Sequence, residues 1–220
     1  MPRRRPPRDC PSADGPKIEV LRRGTVLWRI HADGRGPTEF RSTGAEQKRS
    51  DPVTHGNEGR FDCRRGEYAY LYLAETRLAA FAEAFLRDDV VHHPSARFVR
   101  RDKVTRAALS RIELTHPLTL VDLRGAAGLT RVGQDSWLTS SEEVDYPITQ
   151  LWAEAMWRWA PHADGLCWMA KRDNLHFAAM LFDDHDSSPR ISGEVVRRFS
   201  EPANLAYAVK MLAAVNVKVT

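Results

Sequence analysis

The chain has 220 residues, 42% hydrophobic and 28% charged, the balance of one globular domain with a tail. No run approaches the roughly 20 apolar residues of a membrane helix, and no apolar core follows the Arg-rich start to make a secretory signal, so a cytoplasmic protein is expected. Three widely spaced cysteines, Cys10, Cys63 and Cys167, argue against a disulfide framework or a Cys-rich zinc site. The formal net charge is +4, and much of it comes from Arg3, Arg4, Arg5 and Arg8. That is mild for a nucleic-acid binder and suits general solvation or a small anionic ligand such as a pyrophosphate.

Residues 1–17 are Arg, Pro, Ser, Asp and Gly with little to bury, so a disordered basic tail is expected, followed by a single domain over 18–220. Thr25 to His31 alternates Val26, Trp28 and Ile30 with Leu27, Arg29 and His31, the period of a strand. From Ala32 to Gly66 the chain is rich in Gly, Pro, Asp and Asn. A loop of that length is usually functional or disordered.

Tyr68 to Ala74 reads as a second strand, with Tyr68, Tyr70 and Tyr72 on one face. A helix over Thr76 to Arg87 follows, its stripe being Leu78, Phe81, Ala82 and Phe85. Glu83 lies off that stripe and is free to face a cleft. Arg106 to Glu113 is ambiguous in type; Leu118 to Leu123 reads as a strand. Asp145 is expected to cap a helix opened by Tyr146 and Pro147, with an apolar stripe of Ile148, Leu151, Trp152, Ala155 and Trp159. Strands are expected at Gly165 to Ala170 and Leu175 to Phe182. Asp184 to about Gly193 is polar and turn-rich, with a helical stretch after it. The last helix begins near Pro202 and carries Leu205, Val209 and Leu212. Strands scattered among helices in this order predict an α+β fold, a mixed twisted sheet with flanking helices.

Four pieces carry chemistry together: Val26-Leu27-Trp28-Arg29; Gly59-Arg60-Phe61-Asp62 with Gly66; Tyr72-Leu73-Ala74 with Glu83 eleven residues after the tyrosine; and Asp164-Gly165-Leu166 ahead of Trp168-Met169-Ala170-Lys171. Their order and spacing over about Val26 to Phe182 resemble the RES domain family. The resemblance implies an ADP-ribosyltransferase-like fold and an enzyme that consumes NAD by hydrolysis, phosphorolysis or transfer of ADP-ribose to a protein. It implies the toxin of a bacterial RES–Xre toxin–antitoxin pair, with the Xre-type antitoxin on a separate chain. A homodimer stays open.

On this resemblance the catalytic residues are Arg29, Tyr72 and Glu83, and the NAD-binding ones Arg29, Arg60, Tyr72, Trp168 and Lys171. A guanidinium fork suits a pyrophosphate. Tyr72 would stack near the nicotinamide ribose. The Glu83 carboxylate would stabilise positive charge building on that ribose or grip its 2′-hydroxyl. The chain departs from the family pattern at three positions: Asp62 stands where Asn is usual, Ala170 where a serine is usual, and Lys171 where an arginine is usual. The absent serine hydroxyl keeps a second reading open, an NAD-binding module without turnover.

Simpler readings stand beside each residue: a sheet-surface ion pair for Arg29, a helix-surface pair of Glu83 with Arg87, a half-buried strand tyrosine at Tyr72. No metal is expected, since the adjacent His92 and His93 lack partners at ligand spacing. Asp183-Asp184-His185-Asp186 reads as a solvated turn. Trp152, Trp157 and Trp159 read as core or interface. Arg22-Arg23 and Arg100-Arg101 read as solvated faces, and nucleic acid is not an expected partner.

Overall fold

The computed structural model describes residues 5–42, 59–86, 97–183 and 190–220. In chain order the strands and helices are β1 (Ile18–Leu21), β2 (Val26–Ala32), β3 (Ala69–Ala74), α1 (Arg77–Phe81), β4 (Arg97–Val99), α2 (Arg101–Thr105), β5 (Ala107–Leu114), β6 (Leu118–Asp122), α3 (Gly125–Arg131), α4 (Trp137–Ser140), α5 (Tyr146–Trp159), β7 (Gly165–Met169), β8 (Phe177–Asp183), β9 (Ile191–Arg198), α6 (Pro202–Ala213) and β10 (Val217–Val219). A π-helical turn, Ala82–Leu86, continues α1. Eight strands form one mixed sheet in the order β1-β6-β7-β8-β3-β2-β5-β9, and β10 pairs with β4 in a separate parallel pair. The architecture is α+β, as expected from the sequence. No helix among the described residues is long and apolar enough to cross a membrane.

Hydrophobic burial explains the layers. One cluster is built entirely from strand and strand-end side chains, among them Leu27, Leu71, Ile112, Leu120, Cys167 and Leu181. Among the described residues no helix contributes to it, so the sheet curls and buries this face against itself. On the other face are two helical layers. Trp152, Ala153 and Met156 of α5, with Leu129 of α3, cover β3, β6, β7 and β8. Phe81, Phe85, Leu205 and Leu212 of α1, its π turn and α6 cover β5, β4 and β10. Trp28 and Ile30 of β2 touch both layers.

The two layers meet over a weak seam in the sheet. β2 makes seven register pairs with β5 and β3 makes six with β8, but β2 and β3 share only Trp28↔Ala74. Beyond that pair the two strands diverge, and the ladder groups there turn to other partners. The Tyr70 amide and carbonyl, for example, exchange hydrogen bonds with Arg41.

Several expectations need correction. Ala107–Leu114, ambiguous in sequence, is a strand, and all but Arg111 and Glu113 in it are buried. The helical stretch expected after about Gly193 is a strand instead: Ile191–Arg198 is the edge strand β9, so only Ile191 is buried and its polar residues face outward. The α5 boundary is as expected, but Asp145 makes no capping bond; its Oδ2 accepts instead from Trp137 Nε1 at 3.1 Å. The buried face of α5 is rotated toward Thr149, Trp152, Ala153 and Met156, while Ile148, Leu151 and Trp159 are half-buried. Residues 5–17 carry no helix or strand, yet they are tied to the body: Trp159 Nε1 donates to the Arg8 carbonyl at 3.0 Å, and Lys17 Nζ pairs with buried Asp122 at 2.8 Å. His92, His93, Arg87 and the acidic run from Asp184 lie outside the described residues.

Candidate functional site

Where β2 and β3 part, a hollow of about 240 Å³ opens. Residues 28–32 of β2 form one wall and Tyr70, Tyr72, Leu73 and Ala74 of β3 another. Ala80, Glu83, Ala84 and Phe85 close it from α1 and the π turn, and Lys103, Arg106 and Ala107 from the α2–β5 junction. The fork supplies room that a continuous ladder would fill with main chain.

Arg29 is on the Leu27 face of β2 and is 7% exposed. Its Nη1 donates to the Pro37 carbonyl at 2.7 Å and, less well, to Gly36 at 3.4 Å. No carboxylate among the described residues lies in ion-pair reach of it. Burial, with nearby Arg35 adding repulsion, lowers its pKa to about 10. A cation held this way gains from an incoming anion. His31 shares that face. Its Nε2 lies 2.7 Å from Ser110 Oγ and its Nδ1 2.9 Å from the Ala32 carbonyl. Burial pushes its pKa below the ordinary histidine value. With Nδ1–H donated to the carbonyl, Nε2 accepts from the serine, and the ring is neutral.

Tyr72 projects from the opposite face of its strand, the side of Trp28. Its hydroxyl donates to Asp62 Oδ1 at 2.9 Å and accepts from the Phe61 amide at 3.1 Å. The other Asp62 oxygen takes the Gly59 amide at 2.7 Å, and Gln150 Nε2 donates to the Gly59 carbonyl at 3.0 Å. A Cβ at Gly59 would collide with Asp62 Oδ1 and come within 2.5 Å of the Tyr72 hydroxyl. Glycine is what lets this turn close over the tyrosine.

Glu83 is delivered by the π turn. Thr76 caps α1, its side chain accepting from the Ala79 amide at 3.1 Å. The widened turn that follows keeps Phe81, Ala82, Phe85 and Leu86 buried while Glu83 faces the hollow. π turns recur at functional sites because they shift one side chain out of helical phase. Glu83 Oε1 accepts from the Lys171 amide at 2.9 Å, which orients the carboxylate.

Arg29, Tyr72 and Glu83 thus come from three elements to line one hollow. Arg60, Trp168 and Lys171 are not among its lining residues. Arg60, 1% exposed, donates through Nε to Ser141 Oγ at 3.1 Å and lies 5.9 Å from the ring centres of both Phe61 and Tyr146. Lys171 Nζ donates to the Ser141 carbonyl at 3.1 Å and pairs with Glu142 at 2.8 Å. Trp168 packs edge-on against Phe61, ring centres 4.9 Å apart. Ala170 is fully buried in the same core. These four form the layer behind Tyr72 and Glu83. The sequence reading did not single out Asp62 as the anchor of Tyr72, or Arg35, Arg41, Lys103 and Arg106 as lining residues. Each of those cations, taken alone, reads as a solvated surface charge.

One group of possible metal ligands occurs among the described residues: Cys63, Glu67 and Glu154, whose ligand atoms lie within 4.8 Å of one another. Protein groups already engage them. The Cys63 sulfur accepts from the Glu67 amide at 3.2 Å, Glu154 from the Arg64 amide at 3.1 Å, and Arg158 stands 3.9 Å from Glu67. None of the three is among the residues that line the hollow.

No curated protein matches the chain significantly. Among solved structures, a chain of the M. tuberculosis MbcT-MbcA toxin-antitoxin complex superposes with a TM-score of 0.56 at 15% identity, covering 88% of this chain and 92% of that one. At that identity the likeness is one of fold. The RES domain model matches residues 26–199, a span that runs from the start of β2 to just past β9 and contains every element around the hollow. The chain therefore belongs to the RES domain family.

Proposed function

We propose that this protein consumes NAD by breaking the nicotinamide N-glycosidic bond. The observation that carries the reading is the meeting of Arg29, Tyr72 and Glu83 around one hollow in a chain of this family. Arg29, a buried cation without a carboxylate in ion-pair reach among the described residues, receives the pyrophosphate. The Tyr72 ring, fixed through Asp62, packs on the nicotinamide ribose. As the C1′–N bond breaks, its electron pair leaves with nicotinamide and positive charge builds on the ribose. Glu83 stabilises that charge, with one oxygen already held by the Lys171 amide and the other directed to the ribose. The acceptor at C1′ is water, phosphate or a protein nucleophile. The fold shared with a member of a toxin–antitoxin complex supports the further reading of a cytoplasmic toxin neutralised by an antitoxin on a separate chain.

The test is nicotinamide release from NAD by the purified chain. Glu83→Gln keeps an oxygen for the Lys171 amide, so folding is retained, and release falls by about 10²–10³-fold. Wild type without release, and indistinguishable from Glu83→Gln, overturns the enzymatic reading. Ala170, buried where the family has serine, favours a second reading, a module that binds NAD without splitting it. Calorimetry showing binding without release supports that version, and absence of binding rejects both.

A further inference from the structure

Glu83 and Tyr72 face the hollow from different elements, and each is held from behind. Lys171, whose amide donates to Glu83 Oε1 at 2.9 Å, opens the turn between β7 and β8. That turn closes on the Ala170 carbonyl, which accepts from the amides of Asp173 at 3.2 Å and Asn174 at 2.9 Å. Asn174 and Leu175 at its tip are exposed. A surface turn is a soft mount for a hydrogen bond that must fix a carboxylate.

Two side chains stiffen the mount. Arg172 Nε donates to the Leu86 carbonyl at 3.2 Å, at the end of the π turn that carries Glu83. Lys171 Nζ donates to the Ser141 carbonyl at 3.1 Å and pairs with Glu142 at 2.8 Å. The Glu142 side chain is 53% exposed, so the ion pair adds little to overall stability. Its effect is on where the turn sits.

Ser141, itself buried, takes the other arm as well. Its Oγ accepts from Arg60 Nε at 3.1 Å, and its carbonyl accepts from Arg60 Nη2 at 3.4 Å. Arg60 belongs to the Gly59–Asp62 turn, where Thr149 Oγ1 donates to the Arg60 carbonyl at 2.6 Å and Asp62 holds the Tyr72 hydroxyl. The supports of Glu83 and of Tyr72 therefore meet at one residue that is distant from both in sequence.

We propose that Ser141 and Lys171 are positioning residues for the reaction. The Ser141 carbonyl, shared by Lys171 and Arg60, sets the Glu83 carboxylate and the Tyr72 ring in one fixed relation across the hollow. The inference rests on the reading of Glu83 and Tyr72 as the groups that act on NAD. Neither Ser141 nor Lys171 lines the hollow, so both act through others. A loosened junction shifts the carboxylate against the ribose, and a misplacement of about 1 Å costs on the order of 10²-fold in rate. Arg29 is held separately, by the Gly36 and Pro37 carbonyls, so pyrophosphate binding is spared. The loss then falls on kcat and leaves KM nearly unchanged.

The test follows nicotinamide release from NAD by the full chain, with urea unfolding on the same preparations. Lys171→Met keeps the amide and the aliphatic stem and removes the ammonium. Its kcat is expected to fall about tenfold, with KM within about threefold and the urea midpoint close to wild type. Lys171→Arg, which retains a cation for the Ser141 carbonyl, restores most of the rate. Ser141→Ala takes the hydroxyl from Arg60 and also lowers kcat. The Lys171→Met/Ser141→Ala double variant loses less than the product of the single losses, as parts of one junction do. Losses that simply multiply would separate the two arms and overturn the shared junction. An unchanged kcat in Lys171→Met overturns the proposal, and so does a raised KM with kcat intact, which would put the ammonium at the ligand. Hydrogen exchange at the residue 171 amide, followed by NMR, reads the anchor without turnover. It is expected to be about tenfold faster in Lys171→Met while the β7 and β8 amides keep their protection; unchanged exchange overturns the anchor. A wild type that releases no nicotinamide, with faster exchange in the variant, sinks the NAD reading while the anchor of Glu83 stands.

Discussion

The Tyr72 hydroxyl donates to Asp62 Oδ1 at 2.9 Å while the other oxygen of that carboxylate holds the Gly59 amide at 2.7 Å. One acid thereby fixes both a ring on the hollow wall and the turn that covers it. Asp62 is 3% exposed, so these bonds are made away from bulk water, where a missing partner costs most. Both oxygens of the carboxylate are engaged by these two bonds.

Replacement of Asp62 separates these jobs. Asp62→Ala leaves the Tyr72 hydroxyl and the Gly59 amide without their acceptor, and stability falls by about 1–3 kcal/mol. Tyr72 is freed as well, so nicotinamide release drops roughly tenfold or more. Asp62→Asn keeps one acceptor oxygen and stays within about threefold of wild type, with a loss nearer 1 kcal/mol. Urea unfolding and initial rates on the same preparations check both. Equal damage from the two variants would show that the charge, and not the acceptor geometry, matters.

Gly59→Ala is the steric counterpart. The new methyl meets Asp62 and the Tyr72 hydroxyl, and neither can retreat without breaking their mutual bond. The expected cost is about 2 kcal/mol or more. Thermal melts give the loss, and the Tyr72 environment, followed by fluorescence or by NMR of the ring, shifts in step with it. An alanine variant as stable as wild type removes the argument that this turn is built around glycine.

Much of this site was legible before any coordinates. β2 and β3 announce themselves by strict alternation around Trp28, Arg29, Tyr70 and Tyr72, and the off-stripe position of Glu83 already turned it from the core. The fork between the two strands was not legible, because pairing is a property of partners distant in sequence and both strands look equally able to ladder. The π turn has no signature of its own in Ala82–Leu86. β9 was misread because an edge strand buries so little that Ser192, Glu194, Arg197 and Arg198 look like loop or helix surface. Arg60, Trp168 and Lys171 were expected at the ligand on motif alone, yet they sit one layer back. Motif spacing reports which residues cluster, and it is blind to which of two layers each occupies.

Arg60 offers a direct check of that layering. Its guanidinium is buried on Ser141 between two aromatic rings, so Arg60→Met costs stability, about 1–3 kcal/mol. The KM for the dinucleotide stays within about threefold in the molecules that remain folded. Chemical denaturation and steady-state kinetics on the same variant distinguish the cases. A KM raised tenfold with stability intact would place Arg60 at the ligand after all.

The last prediction concerns pH. His31 is 7% exposed, and burial, the largest influence on it, lowers its pKa in the folded chain below the ordinary 6.5. The unfolded chain then takes up a proton near pH 6.5 that the folded chain still refuses. Protons bound in the unfolded state exceed those in the native state across the window between the two values, so stability rises with pH there. Conversely, the full contribution is present above pH 6.5 and is lost as the solution is acidified through 6.5 toward the folded value. Protonation would also put a donor at Nε2, where the ring now accepts from Ser110, and set a new cation near Arg29. Urea midpoints for wild type should therefore fall between pH 7.5 and 5.5. His31→Gln, which retains a donor and an acceptor but cannot titrate, should flatten that slope while lowering the plateau by about 1 kcal/mol. Parallel slopes in the two proteins would assign the acid sensitivity to another group and leave His31 with a packing role only.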